Sequence, residues 1–565
     1  MSPFLRLLSG RSARVAQLGL LALGAAVSAF AQADSGRPAL RKQGTATQLV
    51  ADGKPFLILG GELFNSSSSS LAYMEPIWKK AQDLNMNTLL AGLNWELVEP
   101  TEGHFDFALV DGLIQGARRN KLHLVFLWFG SWKNGMSSYI PLWVKKDPKR
   151  FPRVVLKSGE KREVLTPLAE SNWKADAAAF AALMRHIREF DSKDHTVLMM
   201  QVENEVGVLN DSRDHSPLAE RAFSAPVPKE VLDYLLKSKA QLEPEIRKRW
   251  EDAGSKAAGN WEAVFGPGPQ TNELFMAWHY ARYVDQVTVA GKAAYDIPMY
   301  ANVWLAEADR PEGSFPSGGP LPYDLDMWRV GAAHVDMFAP DLYAPTFAAW
   351  CARYTRNGNP LFIPETMGFG DGPRNVFYAF GEHDAIGTSP FGMDMLGAIP
   401  AGAAAPGATT DEPWFPRPAP PDIGTSYGLL AQTAPLLLSH QGRRETAGFV
   451  LNKANPKVIR ELGAYELEIS LDSIFGHTAD SGYGLVIATG PDEFMGAGAG
   501  FRVAFKPKTA GPARVGIGSV DEGVFKDGQW IPGRRLNGDE DDQGGAWRFD
   551  SRAAKVERCV VYRWE

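Results

Sequence analysis

Eight short apolar runs, separated by longer amphipathic stretches, limit the folds open to this chain of 565 residues. They lie at 56–61, 86–92, 122–129, 197–202, 297–302, 335–342, 361–365 and 385–391. Helical patterns fall between them at 76–84, 108–120, 174–190 and 272–294. Strands separated by helices imply a parallel sheet, and eight such units imply a (β/α)8 TIM barrel, an α/β fold. The stretch at about 210–270 reads as an insertion in a βα loop, with a charged helical part at 228–262 as a lid or flank. Residues 398–422 are rich in Ala, Gly and Pro and read as an irregular loop, after which the helical pattern 426–439 closes the barrel. From 441 the texture changes to short alternating runs, at 465–469, 484–488, 500–505 and 556–564, punctuated by Gly, Asp and Pro. The domain reading is therefore a barrel over 34–440 and a C-terminal all-β, sandwich-like domain over 441–565.

Residues 1–33 stand apart. Arg6, Arg11 and Arg14 precede an apolar stretch at 15–30, and the small-x-small sites Ala29-Phe30-Ala31 and Ala31-Gln32-Ala33 follow. That is the layout of a cleaved secretory signal; the apolar run is short for a membrane anchor. The expectation is an exported protein, periplasmic or extracellular, with no membrane association after cleavage. A net charge of -7 offers no field for phosphate backbones, which argues against nucleic acid as a partner. Cys351 and Cys559 are far apart in sequence; they either pair in an oxidising compartment or stay as two buried thiols. No Cys/His cluster marks a metal site, the acidic run 539–542 reads as an exposed turn, and neither metal nor cofactor is expected.

Barrel enzymes carry their chemistry at the C-terminal ends of the strands. Glu205 follows the fourth run, in Gln201-Val202-Glu203-Asn204-Glu205-Val206-Gly207, and Glu365 ends the seventh, in Leu361-Phe362-Ile363-Pro364-Glu365-Thr366. Across a barrel mouth these two can approach to the roughly 5 Å at which one carboxyl protonates a leaving glycosidic oxygen while the other attacks the anomeric carbon. Glu203 lies two residues before Glu205, so a regular strand would point both the same way. It is a supporting carboxylate paired with a basic residue or, if the strand end is irregular, the donor itself.

These residues resemble clan A of the retaining glycoside hydrolases, and the 201–207 run is similar to the signature of family 35 β-galactosidases, in which the last Glu is the proton donor. Trp95-Glu96-Leu97-Val98-Glu99-Pro100 resembles that family's segment after strand two, and Gly60-Gly61-Glu62 its strand-one end. The resemblance covers roughly 50–400. It implies Glu205 as acid/base, Glu365 as nucleophile, a polysaccharide or oligosaccharide substrate such as galactosylated xyloglucan, and a homodimer. Departures fall where the family holds galactose: Glu96 and Val98 replace Asn and His, and 129–135 replaces a Cys-Ala-Glu-Trp run.

The remaining candidates follow strand ends. Asn204 is expected to bond the sugar 2-hydroxyl and Tyr343 to donate to Glu365. Trp132, Asn302 and Trp304 are candidates for the sugar floor or wall, and Glu62 and Glu96 for further substrate contacts. The activity expected is that of a secreted retaining exo-β-galactosidase. The alternatives are a retaining glucosidase, mannosidase or arabinosidase, and a retired barrel that only binds carbohydrate.

Overall fold

The computed structural model describes residues 36–307, 309–397, 422–474, 477–526 and 528–565. The signal-like segment 1–33, and the loop read at 398–422 except for its last residue, lie outside the described residues.

All eight apolar runs become strands of one closed parallel barrel: β1 (Ile58–Glu62), β2 (Thr88–Asn94), β3 (His123–Lys133), β4 (Val197–Asn204), β5 (Met299–Trp304), β6 (Met337–Leu342), β7 (Phe362–Thr366) and β8 (Gly387–Pro390). β8 closes onto β1 through the pairs Gly387↔Ile58 and Thr388↔Leu59. Each strand is followed by a helix: α1 (Leu71–Asp83), α2 (Ala108–Arg119), α3 (Glu170–Asp191), α4 (Pro269–Ala294), α5 (Leu325–Gly331), α6 (Phe347–Tyr354), α7 (Gly372–His383) and α8 (Ile423–His440). The strands are nearly continuous apolar runs because both their faces are covered, by the barrel interior and by this helical ring. Between β4 and α4 four short helices, Pro217–Ser224, Lys229–Lys237, Pro244–Asp252 and Trp261–Phe265, make up the inserted stretch.

One element has no counterpart in the sequence reading. Ala39–Gln43, Ala46–Ala51 and Lys54–Phe56 form an antiparallel three-stranded sheet ahead of β1. Its Leu49 and Ala51 join Ile58, Leu90, Val125 and Phe362 in one buried apolar cluster. The sheet thereby shields apolar interior side chains of the barrel, which would otherwise meet water. Phe56, read as the start of strand one, belongs to this sheet instead.

Past α8 the chain forms two large antiparallel sheets, one of six strands and one of four, and a small two-stranded pair, between 446 and 564. Phe449, Leu467, Phe494, Phe501, Trp547 and Phe549 are buried between them. The other face of the six-stranded sheet sits against the barrel, where Phe377 of α7 tilts against Tyr483 at 5.2 Å, and Arg460 of the four-stranded sheet bonds Glu382 of α7 at 2.9 Å. The helix comes so near that a Cβ on Gly381 would lie 2.8 Å from the Gly448 backbone, so both positions require glycine. Cys351 and Cys559 are both buried and unpaired. Among the described residues no helix is long and apolar enough to cross a membrane.

Candidate active site

Parallel closure brings the C-terminal ends of β1, β3, β4, β6 and β7 around one small volume. Trp304 pairs with Asp341, and Asp341 with Glu365, so the ends of β5, β6 and β7 share a level. β4 is irregular where it reaches that level: Glu203 has φ 63 and Glu205 φ 45, both left-handed, a conformation that costs a non-glycine residue on the order of 1 kcal/mol. The Glu205 backbone N–H donates to Asn302 Oδ1 at 2.9 Å, and Asn302 Nδ2 donates to Asp341 Oδ2 at 2.7 Å. Glu205, Asp341 and Glu365 each bring a carboxylate oxygen within 4.8 Å of the others. Retaining glycosidases hold their carboxyl pair about 5–5.5 Å apart and inverting ones about 6.5–9.5 Å, so this approach fits the former.

Around Glu365 the contacts favour negative charge. Tyr343 donates its hydroxyl to Oε2 at 2.9 Å, and the Lys133 ammonium lies 4.0 Å from Oε1. Lys133 is itself 7% exposed, at the end of β3. Burial alone would lower its pKa, but the surrounding Glu365, Glu62, Glu205 and Asp341 more than compensate and raise it. Glu62 ends β1 in the same cluster. Burial, then the charge of Glu365, holds it well above the usual carboxylate range.

Four carboxyl groups beside one ammonium cannot all ionise. Glu205 is pushed up to about 7, by burial and then by the charge of Glu365, with Lys133 and a hydrogen bond from Asp341 pulling it partly back. Asp341 is held well above its usual range by burial and then by Glu365 and Glu205. Glu205 thus retains its proton at neutral pH or slightly below, as a general acid must. The triad Glu205, Asp341 and Glu365 would also present three oxygens to a divalent cation, although Lys133 already places positive charge there.

The other candidates divide. Tyr343 stands where the sequence reading puts it, 42% exposed at the mouth. Trp304 ends β5 partly exposed. Glu96 is half-buried and bonds Lys145 at 3.3 Å. Trp132 is a correction: it is fully buried, its indole donates to the Leu165 carbonyl at 3.1 Å, and it packs on Tyr280 and Tyr283, so it offers no face to a sugar. Asn302 is a second, since both ends of its amide are committed to Glu205 and Asp341. Asn204 is fully buried and, with its oxygen turned to Lys133, accepts from Nζ at 3.2 Å and so orients the ammonium.

Glu203 is the third correction. Left-handed turns break the strand alternation, so Glu203 faces away from Glu365, with no basic partner among the described residues. Its Oε2 accepts the Trp132 backbone N–H at 2.8 Å, and burial and then the neighbouring Asp176 raise its pKa well above the usual range. In the same way Glu99, which the Trp-x-x-x-Glu-Pro segment carries, serves the fold: it accepts from Trp95 Nε1 at 2.8 Å and from the Gly103 N–H at 2.7 Å.

Lys133 and Asp341 were not among the sequence candidates. Asp341 had a signal, two residues before Tyr343 in the sixth run, where strand alternation points both the same way. Lys133 had none, because β3 runs on to Lys133, past the apolar run that ends at Phe129 and through a stretch that carries no strand pattern.

Residues 72–298 match a family model described as Beta-galactosidase, that of glycoside hydrolase family 42, and 423–548 match a domain of unknown function (DUF5597). The matched model is thus not that of family 35. A Xanthomonas manihotis β-galactosidase is 38% identical over 89 residues, 16% of this chain and 14% of the relative, so the alignment spans a small part of that protein's length. Among solved structures, the β-galactosidase of the psychrophilic Marinomonas ef1 gives a TM-score of 0.44 at 12% identity, over 68% of this chain and 60% of that one. The β-galactosidase of Bacillus circulans sp. alkalophilus gives 0.39 at 17% identity, over 59% and 50%.

Proposed function

We propose that this chain is a retaining exo-β-galactosidase that removes terminal β-D-galactosyl residues from plant cell-wall oligo- or polysaccharides, xyloglucan-type side chains among them. Its main support is the approach of Glu205 and Glu365 to within 4.8 Å at the ends of β4 and β7. Similarity of 72–298 to β-galactosidases supports the glycone, and the 201–207 signature supports kinship with family 35 inside clan A.

Glu365 attacks the anomeric carbon while Glu205 gives its proton to the leaving oxygen, which departs with the bonding electron pair as an alcohol. The covalent glycosyl-enzyme removes the negative charge of Glu365, and with it a cause of the high proton affinity of Glu205. Glu205 then takes a proton from water as the water attacks the same carbon, which restores Glu365 and retains the anomeric configuration. Tyr343 and Lys133 hold the carboxylate of Glu365 in place before attack and receive it after release.

A second reading keeps the mechanism and changes the sugar to glucose, mannose or arabinose. It is favoured by Lys133, a cation in the pocket from the segment where family 35 carries its Cys-Ala-Glu-Trp contacts. A panel of para-nitrophenyl glycosides separates the two by which one releases nitrophenol, and proton magnetic resonance of the first-formed sugar tests retention: an inverted anomer rules out both. Export through 1–33 and a homodimer belong to the same proposal, tested by N-terminal sequencing of secreted protein and by light scattering.

A further inference from the structure

The ladder between β3 and β4 breaks just below the site. It pairs Trp128 with Val202 and resumes with Lys133 opposite Asn204, so residues 129–132 bulge against the single Glu203. A bulge leaves backbone N–H groups without ladder partners, and where they are buried each needs an acceptor. Two carboxyl groups supply it: Asp176 of α3 accepts the Ser131 N–H at 3.1 Å, and Glu203 the Trp132 N–H at 2.8 Å. Asp176 also accepts from the Ser131 hydroxyl at 2.5 Å, from Trp128 Nε1 at 2.8 Å and from the Tyr283 hydroxyl at 3.2 Å. With Asp176 accepting from all of these, the proton in the hydrogen bond between the two carboxyl groups belongs to Glu203. Both acids are fully buried, and a Cβ on Gly130 would lie 2.5 Å from Glu203 Oε1, so the bulge closes tightly on the pair.

The segment this pair holds leads directly into the site. Lys133 follows Trp132 and reaches Glu365, the Asn134 N–H donates to the Asn204 carbonyl at 3.2 Å, and the Gly135 N–H donates to the Glu205 carbonyl at 3.0 Å. Glu203 and Glu205 are the left-handed residues of the β4 end, a strain that persists only where surrounding contacts impose it. Resting on the catalytic reading above, we infer that Glu203 and Asp176 are positioning residues, a hydrogen-bonded clamp that ties the β3 bulge to the end of β4, sets Lys133 against Glu365 and turns Glu205 into the mouth. Glu203 thus acts through Lys133 and Glu205 and not on the sugar.

The test replaces Glu203 by Gln, which keeps an acceptor for Trp132 and a donor for Asp176, and by Met, which keeps the volume and neither bond. The substrate is lactose, or the β-linked disaccharide of whichever glycone wild type accepts, because a sugar leaving group needs the proton of Glu205. Glu203→Met should lower kcat about tenfold or more, with KM within about threefold of wild type. It should also move the alkaline limb of kcat/KM upward, as Lys133 withdraws from Glu205 and leaves it facing Glu365, Asp341 and Glu62. Glu203→Gln should keep the limb in place and kcat within about threefold. In a Lys133→Met background, adding Glu203→Met should move the limb no further. A Glu203→Met enzyme with the kcat and limb of wild type, equal losses in the Gln and Met variants, or a further shift in the double variant each overturn the clamp. If Glu203→Met does not fold, Gly130→Ala, whose methyl group displaces the Glu203 carboxyl, is read for the same loss and the same limb, and an enzyme unchanged in both overturns the clamp. Wild type that cleaves no glycoside overturns the catalytic reading itself.

Discussion

Glu205 and Glu365 are chemically the same residue, and their surroundings separate them. Glu365 has a hydroxyl donor and an ammonium beside it, whereas Glu205 has a backbone tether and a buried acid. With the proton of Glu205 leaving at about 7, the rate of glycosyl transfer should fall on the alkaline side of that pH. Lys133 lowers the pKa of Glu205, so Lys133→Met removes the stabilised charge and should move the alkaline limb upward, alongside a lower kcat from the weakened hold on Glu365. The pH dependence of kcat/KM checks it: a limb that stays put in the variant would mean that Lys133 does not act on Glu205. Both acids were legible from position after apolar runs. Their unequal roles came from the family resemblance of 201–207 and not from position, because the physical cause lies in groups from β3 and β6 that no local pattern links to β4 or β7.

Among the secondary-structure elements, the end of β4 and the contact between α7 and the C-terminal sheet decide most. Two left-handed residues at 203 and 205 send one glutamate behind β3 and the other into the mouth, which strand periodicity alone would not do. Gly207 continues this turn at φ 154, and a Cβ there would meet the Pro316 carbonyl carbon at 2.3 Å. Helix α7 rests on the six-stranded sheet through Gly381 and Gly448. Gly448→Val should therefore force the two apart and destabilise the protein by about 1–3 kcal/mol, the usual cost of overpacking. Chemical denaturation reads this directly, and an unchanged midpoint would show that the contact yields freely. The repeated strand and helix periods made these elements readable, while the tight approach between them involves two glycines distant in sequence, with no side chains to signal it.

For the molecule entire, acids buried with their protons set the pH range of stability. Burial pushes Glu273 in α4 up to about 8, partly offset by hydrogen bonds from Gly318, Ser317 and Tyr323, and Asp324 nearby is held well above its usual range by burial and then by Glu273. A raised folded pKa gives stability that is complete below the unfolded value near 4.5 and is lost as pH rises through about 8. The melting temperature should fall across that interval, as stability drops by up to roughly 1.4 kcal/mol per pH unit for each such group. Glu273→Gln should flatten the fall, and an unaltered slope would remove Glu273 from the account. Local pattern suffices for the barrel, the C-terminal β region and the two glutamates at strands four and seven, because alternating periods and strand-end positions are written within short stretches of chain. Barrel closure alone settles that Lys133 and Asp341 join them, that Asn302 is committed to Glu205 and Asp341, that Trp132 and Glu203 turn elsewhere, and that Glu205 has its pKa raised to about 7. Burial and charge at a shared site are sums over residues brought together from distant strands, and no stretch of sequence contains that sum.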